Sequence, residues 1–192
     1  DGRLIGSLVI SDVLRPEADR AVFALKRLGL QVVVLSGDKA QIAEEIGRQI
    51  GADRVLAEVL PQGKVSEIKR LQEESRVVAM VGDGINDAPA LAQADLGIAV
   101  GSGTAAAMEA ADITLLSTEV LAVPRAIALA RRTLRTIRQN LFWAFFYNVL
   151  LIPAAVLGLL QPVWAAAAMA LSSLFVVGNA LRLQRWQPSD QP

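Results

Sequence analysis

The sequence predicts an α/β domain followed by an α-helical transmembrane hairpin, and three observations carry that expectation. Short β-rich runs (LIGSLVI, QVVVLS, RVVAMV, LGIAV, ITLL) alternate with helix-like segments over residues 1–138. Such alternation is the pattern of parallel strands joined by crossover helices. Between Arg138 and Arg182 lie 43 residues without one Asp, Glu, Lys or Arg, interrupted at Leu160-Gln161-Pro162. A bilayer core takes about 20 apolar residues per helix, so this run fits two spans joined by a tight turn. The third observation is bulk: 53% hydrophobic content and a mean hydropathy of +0.42 are high for a purely soluble chain of 192 residues.

Three segments follow: residues 1–138 in water, two spans at about 139–160 and 163–181 within residues 139–184, and a tail at 185–192. Arg131, Arg132, Arg135 and Arg138 precede the first span, and Arg182 and Arg185 follow the second. The positive-inside rule then puts both ends, and the α/β half with them, in the cytoplasm, with membrane lipid as a partner. A buried helical pair in a soluble protein is the alternative. Nineteen basic and 19 acidic residues give zero net charge, so no nucleic-acid partner is expected. With no Cys and no His, disulfides, thiolate or imidazole metal sites and a histidine base are excluded within this chain. The opening DGRLIGSLVI has neither the basic start nor the apolar core of a targeting peptide, and reads as a chain entered midway.

Taken in order, the first motif is QVVVLSGDKAQIAEEIGRQIG, strand then turn then helix, with Ser36, Gly37 and Asp38 at the junction. Main-chain N–H groups at a helix start favour an anion, and Gly37 lets the backbone approach it. Ser36 is a candidate ligand for a phosphoryl oxygen; a plain helix cap is the other possibility. In LPQGKVSEIKRLQ, Lys64 is expected to start an amphipathic helix, either as a cation for a phosphoryl group or as an ordinary surface lysine. In VGDGINDAPAL, an apolar strand runs into Gly82, Asp83 and Gly84, with Asn86 and Asp87 following. Mg²⁺ takes one or two carboxylates plus waters and phosphate, so Asp83 suits direct ligation. Asp87 would support the site from the first helical turn, and Asn86 would bond water or a neighbouring loop. Turn and cap chemistry alone would also use these dipeptides.

Together VVVLSGDKA, LPQGK and VGDGINDAPAL resemble the phosphorylation domain of a P-type ATPase, a partial haloacid-dehalogenase-like Rossmann fold. SDVLRPEA, with Asp12, Arg15 and Pro16, resembles the family's hinge strand. The resemblance implies that Ser36 and Lys64 contact the phosphoryl group of an aspartyl-phosphate, and that Asp83 binds Mg²⁺ with Asp87 close by. It also implies ATP, bound mainly by a domain outside this chain. Ser36 stands where the family usually has Thr, and its hydroxyl preserves the function. The family's nucleophile lies in DKTGT, which this chain lacks, so the expectation is a C-terminal segment inactive by itself whose partners are the remaining domains of a parent pump.

In the hairpin, Tyr147 and Asn148 lie in the first span, and Met169, Ser172 and Ser173 lie in the second. Spacings of three and four put the last three on one helical face. A thioether with no intramembrane carboxylate suits a soft monovalent ion such as Cu(I). Helix packing by Ser and Met is the alternative. YN followed by MxxSS resembles the copper class of heavy-metal-transporting ATPases, which implies Cu⁺ as cargo and a copper chaperone as partner. Ag(I) has the same chemistry, and Zn(II) or Cd(II) would want an acid in the last span. A membrane-anchored phosphatase and a non-catalytic partner of such a pump are the remaining alternatives. The helix from about Val120 through Arg138, free of Gly and Pro between Pro124 and Pro153, is expected to be a rigid strut coupling the two halves.

Overall fold

The computed structural model describes residues 14–101, 103–159 and 161–186. The expected LIGSLVI strand, Asp12 and the QPSDQP tail lie outside the described residues. The chain divides into two compact units, residues 1–124 and 125–191.

The first unit runs α1 (Ala18–Arg27), β1 (Val33–Leu35), α2 (Ala40–Ile50), β2 (Arg54–Leu56), α3 (Pro61–Glu73), β3 (Ala79–Gly82), a 3₁₀ turn (Ile85–Asp87), α4 (Ala88–Gln93), β4 (Leu96–Val100), α5 (Ala105–Ala110) and β5 (Ile113–Leu115). Every pairing is parallel: β1 with β2 in one sheet, and β3, β4 and β5 in order in another. Each strand but β2 was legible as a β-branched run. β2 was not, because three residues, one of them the charged Arg54, carry too little periodicity. Ile68 of α3, Met80 of β3, Ala90 and Leu91 of α4 and Ala107 of α5 form the core, and Leu35 of β1 packs against it. The carboxyl ends of β1 and β3, which bear the SGD and GDGIND loops, therefore share one apolar support.

A repeated device sets the strand register. Asp53, Asp95 and Asp112 each sit one residue before a strand, and each follows an alanine. Their Oδ2 atoms accept the N–H of Val32, Val78 and Gly97, each at 2.8 Å, from the neighbouring strand or the residue leading into it. Asp53 and Asp95 return the bond, their own N–H groups donating to the carbonyls of Val32 and Val78 at 2.9 and 3.0 Å. A slip by one residue would break both bonds and turn every side chain to the wrong face. These bonds favour the charged carboxylates. The Lys26 ammonium and then the Val32 N–H hold Asp53 below the usual carboxylate range, while the Val78 N–H and Gln72 do the same for Asp95.

The second unit is helical. Helix α6 (Ala122–Val156) is continuous over 35 residues, and α7 (Pro162–Gln184) has 23. Both are long and apolar enough to cross a membrane. α6 ends at Val156, ahead of the break expected near residue 160. Pro153 lacks an N–H, which weakens the last turns. Gly158, at φ 71°, then takes the left-handed conformation that closes the helix, with the Leu159 N–H bonded to the Ala154 carbonyl at 2.9 Å. That closure matters in lipid, where no water is at hand for an unpaired carbonyl.

The two helices meet along one seam. Asn140, Ala144, Tyr147, Leu151 and Ala154 are the half-buried positions of α6 from Asn140 onward, at alternating spacings of four and three. Asn140–Asn179, Trp143–Phe175 and Tyr147–Ser172 are contacts between them, an antiparallel register in which the paired numbers sum to 318 or 319. Ala144, Ala154, Ala165, Ala168 and Ser172, all half-buried, are small enough for close backbone approach.

Candidate functional site

Asp83 follows β3 directly and is held by three neighbours. Its carbonyl accepts the Thr104 N–H at 3.1 Å, and a Cβ on Gly103 would stand 3.0 Å from that same oxygen. Its carboxylate lies 3.7 Å from the Arg15 guanidinium and stays 63% exposed. Arg15 also donates to the Thr118 carbonyl. Arg15, Asp83, Gly101, Gly103 and Thr118 thus line an open cavity of about 120 Å³, with Val100 as its apolar wall.

Asp87, four residues on, has a different environment. Lys64 Nζ lies 2.6 Å from its Oδ1, and the two side chains are only 17% and 14% exposed. The sequence expectation put Lys64 at a helix start, but α3 begins at Pro61, and Lys64 falls one turn in, facing the 3₁₀ turn. Asp87 is the last residue of that turn, its N–H donating to the Gly84 carbonyl at 3.0 Å. The turn closes tightly enough that a Cβ on Gly82 would lie 2.7 Å from Asp87 Cβ, so only glycine fits there. Among the described residues the Asn86 side-chain amide makes no hydrogen bond, and the residue is exposed. Two acids in one motif therefore differ: Asp83 is open and shared with an exposed arginine, whereas Asp87 is sequestered and neutralised.

The SGD loop follows β1. Ser36 Oγ donates to Asp38 Oδ2 at 2.8 Å and accepts the Asp38 N–H at 3.1 Å. Neither caps α2, whose N-cap is Lys39 without a side-chain acceptor. The Ser36 proton is thus committed to Asp38, and the hydroxyl reaches a phosphoryl oxygen as a donor only by leaving that bond. Ser36 is tied to the segment before α3 by the Val59 N–H, which donates to its carbonyl at 3.0 Å, and a Cβ on Gly37 would lie 3.7 Å from the Val59 carbonyl.

The donors around Asp83 suit a hard cation. The ligand atoms there are oxygens, with the Arg15 guanidinium a cation that shares Asp83, and no group of three or more His, Cys, Asp or Glu that could hold a metal ion occurs among the described residues. An ion at Asp83 would complete its shell from water and phosphate, the habit of Mg²⁺.

In the hairpin, the five residues expected to form one ion site divide. Ser172 Oγ donates to Tyr147 Oη at 2.6 Å across the seam. Asn148 and Ser173 instead bond their own helices, at the carbonyls of Ala144 (2.6 Å) and Met169 (3.1 Å). Met169 is 65% exposed on the outer surface of α7. Sequence reasoning missed Arg15 as the partner of Asp83, and it missed the Asn140–Asn179 bond (2.7 Å). The pairing of two amides 39 residues apart leaves no local signal.

Comparison with known proteins bears on the fold and the family. Models described as haloacid dehalogenase-like hydrolase match residues 1–95 and 64–127. The α/β unit is part of a haloacid dehalogenase-like domain, here followed by paired membrane-length helices. The chain as a whole is a homologue of the P-type ATPases. It is 57% identical over 97% of its length to the probable copper-exporting P-type ATPase V of Mycobacterium tuberculosis, and 54% identical over 98% to copper-transporting ATPase 1 of Rhizobium meliloti. Among solved structures, a zinc-transporting PIB-type ATPase in its E2.Pi state superposes on 90% of this chain, with TM-score 0.80 and 38% identity. That match is 28% of the zinc transporter's chain, and this chain spans about a quarter (24%) of the length of the curated relatives it matches.

Proposed function

We propose that this chain is the phosphoryl-handling and final-helix portion of an ATP-driven pump that exports a soft monovalent metal ion, Cu(I), across a membrane. The observation that carries the reading is the unequal pair of acids in GDGINDAPAL. Asp83 is open to a cavity at a strand end, and Asp87 is held by Lys64. Asp83 would hold Mg²⁺, which when bound neutralises charge on the phosphoryl oxygens. Lys64 has three N–H donors and spends one on Asp87, so the rest can serve the same phosphoryl group. Ser36 would join by exchanging Asp38 for a phosphoryl oxygen. The aspartate that carries the phosphate lies in DKTGT, a segment this chain does not contain, and ATP would be held mainly by the nucleotide-binding domain of the parent.

Cu(I) is supported by the names of the relatives and by the chemistry of the spans. Residues 139–181 offer Met169, Tyr147 and hydroxyl and amide groups but no carboxylate, which a Zn(II) site would want. The positive-inside rule favours both ends of the hairpin in the cytoplasm of a cell membrane. α6 would carry domain rotation to the ion site as a continuous helix.

The experiment uses the full-length parent in proteoliposomes, measuring Cu(I)-stimulated ATP hydrolysis and Cu(I) uptake together. Asp83→Asn should cut hydrolysis by at least about a hundredfold, and a Gly-Gly insertion beside Arg135 should leave hydrolysis while abolishing uptake. Full activity of Asp83→Asn would sink the phosphoryl assignment, and normal coupling with the insertion would sink the strut. Stimulation by Zn(II) but not by Cu(I) would reassign the cargo.

A further inference from the structure

We propose that the base of the hairpin is a collar that binds the phosphates of anionic phospholipids. The inference rests on reading α6 and α7 as membrane spans. Charge is segregated along the chain: residues 1–119 carry 12 basic and 18 acidic side chains, whereas residues 120–192 carry seven arginines and a single acid, Asp190. Arg135, Arg138, Arg182 and Arg185 are all exposed, and among the described residues none of their guanidinium groups has a hydrogen-bond or ion-pair partner.

The seam contacts bring these four to one level. With Asn140 beside Asn179 and Tyr147 beside Ser172, position 138 lies opposite position 181. At about 1.5 Å rise per residue, Arg138 and Arg182 stand at nearly the same height, and Arg135 and Arg185 about one turn farther out. The uncharged stretch begins at Gln139 on one helix and ends at Leu181 on the other. The four cations therefore occupy one thin layer at the edge of the apolar slab, where lipid phosphates lie.

Residue type adds to geometry. All seven cations here are arginine, while every lysine of the chain lies between positions 26 and 69. Orientation in a membrane needs only positive charge, which lysine supplies equally well. Arginine offers in addition a planar fork that grips a phosphate through two parallel N–H bonds. An acidic protein segment would also meet the charge, but cations spread over both helices at the hydrocarbon boundary match the shell of lipid around the hairpin.

The test reconstitutes the full chain in phosphatidylcholine vesicles and measures by electron spin resonance how strongly spin-labelled phosphatidylglycerol and phosphatidylcholine enter the motionally restricted shell. The native chain should prefer phosphatidylglycerol by roughly fivefold, and less as salt is raised. The double variant R138Q/R182Q should bring the preference close to one, and R138K/R182K should recover only part of it. Equal association of the two lipids with the native chain, or an undiminished preference in R138Q/R182Q, would overturn the collar and leave an acidic protein segment as the occupant. Complete recovery by the lysine pair would overturn the phosphate grip in favour of bare charge. No restricted component with either lipid would overturn the membrane reading itself.

Discussion

The two units use polar side chains in opposite ways. In the α/β unit the buried core residues are apolar, Ile68, Leu91 and Ile98 the largest of those fully buried, and the ion pairs other than Lys64–Asp87 stand at or near the surface. Among the described residues of 125–186 only Thr136 is buried, large apolar side chains such as Phe145, Leu150 and Leu174 point outward, and Asn140, Tyr147, Ser172 and Asn179 turn toward the seam. Water drives the first arrangement, since apolar surface is removed from it at about 25 cal/mol per Å². Lipid gives no such drive between helices, which leaves close packing and hydrogen bonds to hold the hairpin. The same chemistry should therefore respond differently to mutation in each unit.

The largest difference is expected at Lys64 and Asp87. Removing one partner strands a charge that is mostly buried, so Lys64→Met should cost about 3 kcal/mol, while Lys64→Met with Asp87→Leu should cost clearly less. Urea unfolding of the full chain in detergent, followed by circular dichroism, reads both. A double variant as unstable as the sum of its two single changes would mean that Lys64 and Asp87 act independently, with no coupling between them.

A smaller effect is expected across the hairpin seam. Tyr147→Phe and Asn179→Ala should each lower resistance of the helical unit to denaturing detergent by roughly 0.5–2 kcal/mol. Losses as large as that at Lys64 would mean that the amides and hydroxyls, rather than the small-residue packing, hold the helices together.

The smallest effect distinguishes the units by pH. Asp53 and Asp95 have folded pKa values held below their unfolded ones, so the stability they contribute is fully present above about pH 4. It is lost as pH falls through the lower folded values. Unfolding midpoints of the α/β unit should drop below pH 4, less so in Asp95→Asn, while the hairpin, with no acid between Glu119 and Asp190, should not respond. A hairpin midpoint that falls in parallel would break the comparison.

Local composition determined much of this protein. Four of the five described strands announced themselves through β-branched runs, and the spans through the absence of charge, because burial in a core or in lipid is paid for residue by residue. The residues proposed for phosphate and magnesium stood out as Gly, Asp and Ser at strand ends, where turn and cap chemistry uses the same dipeptides. Tertiary structure alone decided which groups meet. The bond from Asp95 to Val78 depends on which strands lie side by side, that of Lys64 to Asp87 on how α3 crosses the sheet, and that of Asp83 to Arg15 on a chain returning from 68 positions away. The bond of Tyr147 to Ser172 follows from the register of α6 against α7, whereas Asn148 and Ser173 bond within their own helices. Periodicity tells a residue which side of its own helix it occupies, but the partner on the far side is chosen by three-dimensional fit.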